Sequence, residues 1–414
     1  MATLSPLTPY VYNQAKVRNV SEVIAPPYDV INSDYQEQLY QRSPYNVIRL
    51  ELNKGDLSND RYHDAATYLK RFIDEQVIIQ EKPSMYWMSQ TFRLPSSEKM
   101  VTRKGIFAKL LLEPFGNNVL PHEKTLSGPK ADRFELMKKT TMNFSPIFGL
   151  ANIHKAYDTL CSYEQKQNEY LSFQFEDIEH HVWKITDTKS LQNIQNLFDP
   201  AKIVIADGHH RYETALHYHQ WYADNNKQAE NSKYVLMYIS LMDDPGLVIL
   251  PTHRLVHSLD NFNYQSFLSR LKDEFSITEL DQNFSAVSDT FYSSKEKGIH
   301  FCLVAPQQKP CKLSYKDTQS KALDLEVLHN VIFEKLLNIS KEAQEKKINL
   351  DYVKSTREVD ARLQDKSFQL AFLVNSTPIE SMLEVVSKHK LMPQKSTYFY
   401  PKILETIHYE EHEV

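Results

Sequence analysis

The stretch KIVIADGHHRYETALHYH, Lys202 to His219, constrains the fold of this chain more than any other. Lys202 to Ala206 is a short apolar run with β-branched residues, which predicts a buried strand. Asp207 and Gly208 end that run, and apolar residues then recur at helical spacing from Arg211 to Tyr222. Gly208 permits a sharp turn, and Asp207 can cap a helix by accepting a backbone N–H. The sequence therefore predicts a strand, a tight turn and a helix in direct succession.

Three basic or titratable residues, His209, His210 and Arg211, stand where this predicted helix begins. The N–H groups and the dipole of a helix start attract anions, and a guanidinium adds a bidentate phosphate contact. We therefore predict a phosphate-binding turn. Two alternatives stay open: a β–α corner whose polar residues are merely solvated, or a metal site in which His209 and Glu213 share one helical face.

Composition places the chain among ordinary globular proteins and argues against several functions. Its 414 residues are 41% hydrophobic and 24% charged, which suits two or three domains. A net charge of −5 without a basic run predicts no nucleic-acid partner, and no apolar run is long enough for a membrane span. Scattered cysteines and the lack of a signal pattern lead us to expect a reduced, cytoplasmic protein. The eight dispersed glycines exclude a G-x-G-x-x-G turn and a P-loop.

Two earlier loops also carry polar side chains. Pro26 and Pro27 hold Tyr28 and Asp29 in a rigid segment, where Asp29 is either a general base or a solvated turn residue. Further along, a loop and a helix start carry a dense polar set: His122, Glu123, Lys130, Asp132 and Arg133. Loops on a rigid scaffold often carry the chemistry, although a solvated charged loop has the same composition.

The remaining patterns predict alternating strands and helices. Tyr45 to Leu52 alternates apolar with polar residues, which predicts a half-buried strand with Arg49 and Glu51 on its outer face. Tyr234 to Leu241 predicts a central strand, and 284–292 an amphipathic helix. We predict a mixed α/β fold in two domains, residues 1–259 and 260–414, with the second packed on the first.

Seven motifs, taken together and in this order, resemble the family called domain of unknown function 1015. They cover almost the whole chain: APPYDVI (25–31), LPHEKT (120–125), KADR (130–133), SPIFGL (145–150), ADGHHRYETAL (206–216), PTHRL (251–255) and MPQKSTYFYPK (392–402).

The DGHHR turn also resembles the nucleotide-binding turn of the ParB/sulfiredoxin superfamily, which includes partition proteins, sulfiredoxins and free-serine kinases. Sulfiredoxins carry a catalytic cysteine before His-Arg; here His209 stands in that place, so sulfinic-acid reduction is not expected. The resemblance implies a ParB/sulfiredoxin-like nucleotide-binding core with a second α/β unit. It also implies a nucleotide-dependent kinase that acts on a free hydroxyl amino acid, with L-serine as the leading acceptor.

Under this interpretation each candidate residue receives a role. The phosphates are assigned to Gly208, His209, His210 and Arg211, supplemented by Lys130, Arg133, His253 and Arg254. Asp29, Glu123 and Asp207 are the candidate general bases, and His209 is a further catalytic candidate. The substrate is assigned to Tyr28, His122, Lys395, Ser396 and Thr397.

The expected cofactors are Mg²⁺, which Asp207 would contact, and ATP or ADP as phosphate donor. The expected partners are the nucleotide and a small-molecule substrate, and a homodimer is left open. Two other functions also stay open: a nucleotide-gated, ParB-like binding switch and a phosphohydrolase.

Overall fold

The computed structural model describes residues 2–95, 99–123, 128–153, 156–225, 232–280, 284, 297–320, 322–405 and 410–411. The helix predicted over 284–292 falls outside these residues except at its first position. The fold is mixed α/β, as predicted. Within the described ranges, no helix is both long enough and apolar enough to cross a membrane.

Strands and helices alternate along most of the chain. The strands are β1 Leu4–Ser5, β2 Tyr10–Tyr12, β3 Ile78–Gln80, β4 Met85–Arg93, β5 Met100–Leu111, β6 Val119–Leu120, β7 Met142–Asn143, β8 Ile147–Ala151, β9 Glu169–Phe175, β10 Ile178–Ile185, β11 Ile203–Asp207, β12 Tyr234–Leu241, β13 Val248–Leu250, β14 His253–Val256, β15 Phe275–Glu279, β16 His300–Val304, β17 Cys311–Tyr315, β18 Leu350–Val353, β19 Leu370–Leu373, β20 Tyr398–Tyr400 and β21 Glu410–Glu411.

The helices are α1 Ser33–Arg42, α2 Ile48–Glu51, α3 Arg61–Asp74, α4 Gly128–Thr140, α5 Ala156–Cys161, α6 Tyr163–Lys166, α7 Thr188–Phe198, α8 His209–Asn225, α9 Tyr264–Glu274, α10 Asp324–Val327, α11 Lys341–Glu345, α12 Thr356–Gln364 and α13 Ile379–Ser387. Two short 3₁₀ helices occupy Val20–Glu22 and Tyr28–Val30, and a π-helix, Leu328–Leu336, continues α10.

By its internal contacts the chain divides into two compact units. Unit 1 comprises Met1–Pro121, Thr125–Val248 and Pro401–Val414, and unit 2 comprises His122–Lys124 and Ile249–Tyr400. Each unit therefore takes pieces from distant parts of the sequence. The predicted domains, 1–259 and 260–414, stay a prediction, because a domain is defined by independent folding rather than by contacts alone.

Unit 1 is built on a nine-stranded mixed sheet in the order β6-β11-β8-β12-β5-β4-β10-β9, with β1 paired to β5. β11 runs parallel to β6 and antiparallel to β8. Its buried residues Ile203 and Ile205 share a core with Tyr212, Ala215 and other apolar residues of α8. The predicted strand, turn and helix are therefore confirmed, because both elements present apolar faces to one core.

Unit 2 is built on a six-stranded antiparallel sheet in the order β15-β17-β16-β19-β14-β18. Phe301, Leu303, Phe333 and Phe372 lie fully buried in its core. Phe333 belongs to the π-helix, so this irregular helix is anchored against the sheet.

The strand predicted over Tyr45 to Leu52 is wrong. The segment forms a turn and the short helix α2, in which Ile48, Leu50 and Glu51 are all buried. Asn46 fixes this conformation: its Oδ1 accepts from the Ile48 N–H at 3.0 Å, while its Nδ2 donates to the carbonyls of Glu22 and Ile24. Side-chain hydrogen bonds to distant backbone override the two-residue alternation of the sequence.

Candidate functional site

The turn between β11 and α8 is organised around Gly208 and Arg211. Gly208 has φ +94°, a left-handed conformation that L side chains rarely adopt. A Cβ at this position would stand 3.0–3.1 Å from the guanidinium of Arg211. The Arg211 guanidinium therefore occupies the space that a side chain at position 208 would need. Two features thus favour glycine here, the positive φ and the close approach of Arg211.

Arg211 is held in place by two acceptors. Its Nη1 donates to the carbonyl of Pro146 at 2.6 Å, and its Nη2 donates to Asp207 Oδ2 at 2.7 Å. Burial lowers the pKa of Arg211, but the negative charges of Asp207 and Glu405 outweigh burial, so the pKa is raised. The guanidinium is a fixed positive charge carried by the first turn of α8.

Asp207 bridges two cations. Its Oδ1 accepts from Lys402 Nζ at 2.5 Å while its Oδ2 accepts from Arg211. This arrangement does not fit the predicted magnesium ligand, because a metal ion would have to displace a cation from the carboxylate. Over the described ranges, no group of three or more His, Cys, Asp or Glu could hold a metal.

Glu213, a residue of the alternative metal site, is paired with Lys130, a predicted supplementary phosphate ligand. Lys130 of α4 forms an ion pair with Glu213 of α8 at 2.6 Å. His209 is 7% exposed, and the hydroxyl of Thr214 donates to the His210 carbonyl at 2.8 Å. The ion pair with Glu213 thus links Lys130 to the N-terminal part of α8.

Arg133 lies buried in unit 1 and links α4 to α2. Its Nη1 donates to Glu51 Oε1 at 2.8 Å, and its Nε donates to Asp132 Oδ2 at 2.8 Å. The Tyr28 ring covers the guanidinium at 4.2 Å, which is a cation–π contact. Burial lowers the pKa of Arg133, but Glu51 and Asp132 raise it by more.

Two buried carboxyl groups, those of Glu51 and Glu405, contact the same hydroxyl group, that of Ser145. Ser145 Oγ lies within hydrogen-bonding distance of Glu51 Oε1 and of Glu405 Oε2. Burial, reinforced by the charge of Glu51, raises the pKa of Glu405 well above its usual value. Ser145 has a single hydroxyl hydrogen, so it can donate to only one of these two carboxyl groups at a time.

A small cavity of about 30 Å³ adjoins this network and is lined in part by Glu51, Arg133, Ser145 and Arg211. That volume is enough for about one water molecule. Arg133 and Arg211 thus line the same small cavity, together with Glu51 and Ser145.

Tyr28 and Asp29 lie in the 3₁₀ helix that follows the two prolines. Burial raises the pKa of Tyr28 to about 12, although the charges of Arg133 and Arg211 act in the opposite direction. Asp29 is exposed, and its charge raises the pKa of Tyr28 and of Arg211. Of the three predicted general bases, Asp29 is the exposed carboxylate within electrostatic reach of Arg211.

The other predicted site residues belong to unit 2. Glu123 accepts from the Thr397 N–H at 2.9 Å, from the Thr397 hydroxyl at 3.0 Å and from the Lys395 N–H at 3.2 Å. His122 is fully buried, with its Nε2 2.7 Å from Thr397 Oγ1. Ser396 is buried and donates to the Pro393 carbonyl. Glu123 therefore holds the 395–397 segment in place.

His253 and Arg254 also lie in unit 2, on β14, rather than with the helix start in unit 1. Burial, followed by the charge of Arg254, lowers the pKa of His253 to about 3, and its Nδ1 accepts from the Val374 N–H at 3.3 Å. Arg254 is fully buried and donates to the carbonyls of Thr252 and Lys395. Both residues engage the backbone of unit 2.

Sequence reasoning missed four residues of the unit 1 cluster: Glu51, Ser145, Lys402 and Glu405. Ser145 and Lys402 stand inside the motifs SPIFGL and MPQKSTYFYPK, but the sequence alone indicates no role for them. Glu51 was placed on the exposed face of a strand, and nothing in the sequence marks Glu405. In the sequence, each of these four polar residues stands next to at least one apolar residue.

Residues 4–336 match the family described as a protein of unknown function, DUF1015. The chain belongs to this family. The family match ends before Lys402 and Glu405, so these two residues lie beyond the matched region.

No curated protein matches this sequence. Several solved structures are similar to this chain at low TM-scores, among them the following three. A conserved hypothetical protein from Pyrococcus furiosus has a TM-score of 0.37 and 17% identity, covering 69% of this chain and 89% of its own. A free serine kinase in complex with AMP has a TM-score of 0.34 and 13% identity, covering 68% and 83%. SbnI from Staphylococcus aureus, truncated at its C-terminus, has a TM-score of 0.35 and 10% identity, covering 70% and 82%.

Proposed function

We propose that unit 1 binds a nucleotide at the amino end of α8 and transfers its terminal phosphoryl group to the hydroxyl of a small amino acid, with L-serine as the leading acceptor. The observation that carries the proposal is that Arg211 and Lys402 both contact Asp207, while the exposed carboxylate of Asp29 acts electrostatically on Arg211. Phosphoryl transfer needs positioned positive charge and a base, and both are available in unit 1.

The phosphate site is the start of α8, a helix of 17 residues. The positive end of a helix dipole favours an anion at this position. An incoming phosphate joins the Asp207 carboxylate in contacting the two cations, Arg211 and Lys402.

Asp29 is the proposed general base. The acceptor hydroxyl gives its proton to the Asp29 carboxylate while its oxygen forms a bond to the terminal phosphorus. The bond from that phosphorus to the bridging oxygen of the nucleotide breaks, and the shortened nucleotide leaves with that oxygen. Magnesium enters this scheme as part of the nucleotide substrate, and the chain supplies the cations and the base.

The test is a phosphotransfer assay with purified full-length protein, magnesium, L-serine and either ATP, ADP or pyrophosphate. The product, O-phosphoserine, is measured by mass spectrometry. We expect phosphoserine from the wild type and from Arg18→Met, an exposed arginine of unit 1. We expect none from Arg211→Met.

The alternative functions predict other results. Nucleotide turnover without an acceptor would identify a phosphohydrolase, and nucleotide binding without turnover would identify a switch. Either result contradicts the kinase. If wild type and Arg211→Met formed phosphoserine at equal rates, the α8 turn would be excluded as the phosphate-binding site.

A further inference from the structure

Unit 2 contains a cavity of about 210 Å³ that has no part in the proposed phosphoryl transfer. Its walls come from the π-helix Leu328–Leu336, from α11 and from residues 391–394. The volume suits a metabolite smaller than a typical drug. Segments of π-helix are rare and occur frequently at functional sites.

His329, in the first turn of the π-helix, lines this cavity and is 8% exposed. Its Nδ1 lies 2.7 Å from Gln344 Oε1. The amide nitrogen of Gln344 donates to the carbonyls of Ile339 and His329, so the amide oxygen is the atom that meets the ring. The Nδ1 therefore carries the proton, and Nε2 carries a lone pair.

That lone pair has no hydrogen-bond partner among the described residues. Burial, followed by the charge of Arg254, lowers the pKa of His329 to about 3, so the ring stays neutral. A buried acceptor without a donor is unfavourable. Because His329 lines the cavity, a bound ligand with an N–H or O–H group is the candidate for the missing donor.

Side chains of both charges line the same cavity. Lys341 supplies an ammonium whose side chain is 70% exposed, and Glu326 and Glu345 supply carboxylates. Asn330 and Gln394 add neutral amides. A ligand that carries one charge of each sign, together with hydrogen-bond donors, complements this lining better than a simple anion or an apolar molecule.

We propose that this cavity binds a free α-amino acid, with its ammonium or a side-chain donor on His329 Nε2 and its carboxylate towards Lys341. The ammonium supplies donors, and the two glutamates balance its charge. This site is separate from the α8 turn and uses residues of unit 2 alone.

The test is isothermal titration calorimetry of the full-length protein, without nucleotide, against each of the twenty L-amino acids. We expect saturable binding of at least one. In His329→Phe, which keeps a ring but removes the acceptor, affinity should fall by roughly tenfold. His300→Phe is the matched control, because His300 lies in β16 with Ser314 and Lys297 as its partners.

Two further variants locate the ligand. If His329→Phe fails to fold by circular dichroism, Lys341→Met, an exposed substitution, should still weaken binding by roughly threefold. Arg211→Met should bind the amino acid as the wild type does, whether or not phosphotransfer exists. Absence of binding by all twenty amino acids overturns the proposal, and so does binding that is lost in Arg211→Met but kept in His329→Phe.

Discussion

Lys402 Nζ lies 2.5 Å from Asp207 Oδ1, although 195 residues separate the two in the sequence. Both side chains are mostly buried, at 12% and 23% exposure. The Lys402 ammonium and the Arg211 guanidinium thus hold the same carboxylate at the start of α8. The segment that carries Lys402 also carries Glu405, whose N–H donates to the Ala25 carbonyl at 2.8 Å. Residues 401–405 are therefore a structural part of the candidate site.

Replacing Lys402 should weaken nucleotide binding. In Lys402→Met, Asp207 keeps Arg211 but loses its second cation, so we expect roughly tenfold weaker binding and a stability loss of about 1–3 kcal/mol. Fluorescence titration with a labelled nucleotide and urea unfolding measure the two effects. Lys388→Met is the control, because Lys388 forms an exposed pair with Glu384. Equal affinities for the two variants would remove Lys402 from the site.

Substitutions at two glycines distinguish the stability lost through backbone strain from the stability lost by crowding Arg211. Gly208 and Gly116 both have positive φ, at +94° and +114°, but a Cβ at Gly116 would have no atom within 4 Å. Gly116→Ala should lose about 1–3 kcal/mol through strain alone. Gly208→Ala should lose more and should also weaken nucleotide binding, because the methyl group pushes Arg211 from Asp207. Urea midpoints and nucleotide titrations give the comparison, and similar losses without a binding defect would contradict it.

The buried Glu405 should make stability depend on pH. Because its pKa is raised in the folded protein, its contribution is fully present below the unfolded pKa and is lost as pH rises through the folded pKa. Glutamine mimics the protonated acid and donates to Ser145. We therefore expect Glu405→Gln to match the wild type within about 1 kcal/mol in acid and to become more stable than the wild type as pH rises.

Unfolding free energies measured across pH 4 to 9 test this expectation. Glu22→Gln is the control, since Glu22 is exposed and belongs to the same unit. A constant difference between Glu405→Gln and the wild type at every pH would mean that Glu405 is ionised throughout.

Asp29 can be separated from the other candidate bases by kinetics. Asp29→Asn keeps the shape of the side chain but removes the base, so phosphotransfer should fall by roughly 10²–10⁴-fold while nucleotide affinity changes little. Asp34→Asn, an exposed change in the first turn of α1, should be neutral. Single-turnover rates with saturating nucleotide give the result. Full activity in Asp29→Asn would place the base elsewhere.

The sequence was informative where structure is determined locally. The apolar run, the glycine and the helical spacing between Lys202 and Tyr222 act within a few residues of one another, so strand, turn and helix could be predicted. The Tyr45 to Leu52 segment shows the limit of this reasoning. Its alternation suits a strand, but Asn46 bonds to the distant carbonyls of Glu22 and Ile24, and the segment becomes a helix.

Only the tertiary structure decided which polar residues meet. Asp207 and Lys402, or Ser145 and Glu405, come together because the chain returns to unit 1 at residue 401, and no local pattern encodes that return. His253 and Arg254, whose cationic sequence character suggested phosphate, lie buried in β14 and contact the backbone of unit 2, which the sequence did not indicate. By itself the sequence determined the mixed α/β class, the family and the strand, turn and helix around Gly208. Burial and charge pairing, which depend on long-range packing, decided the composition of the site.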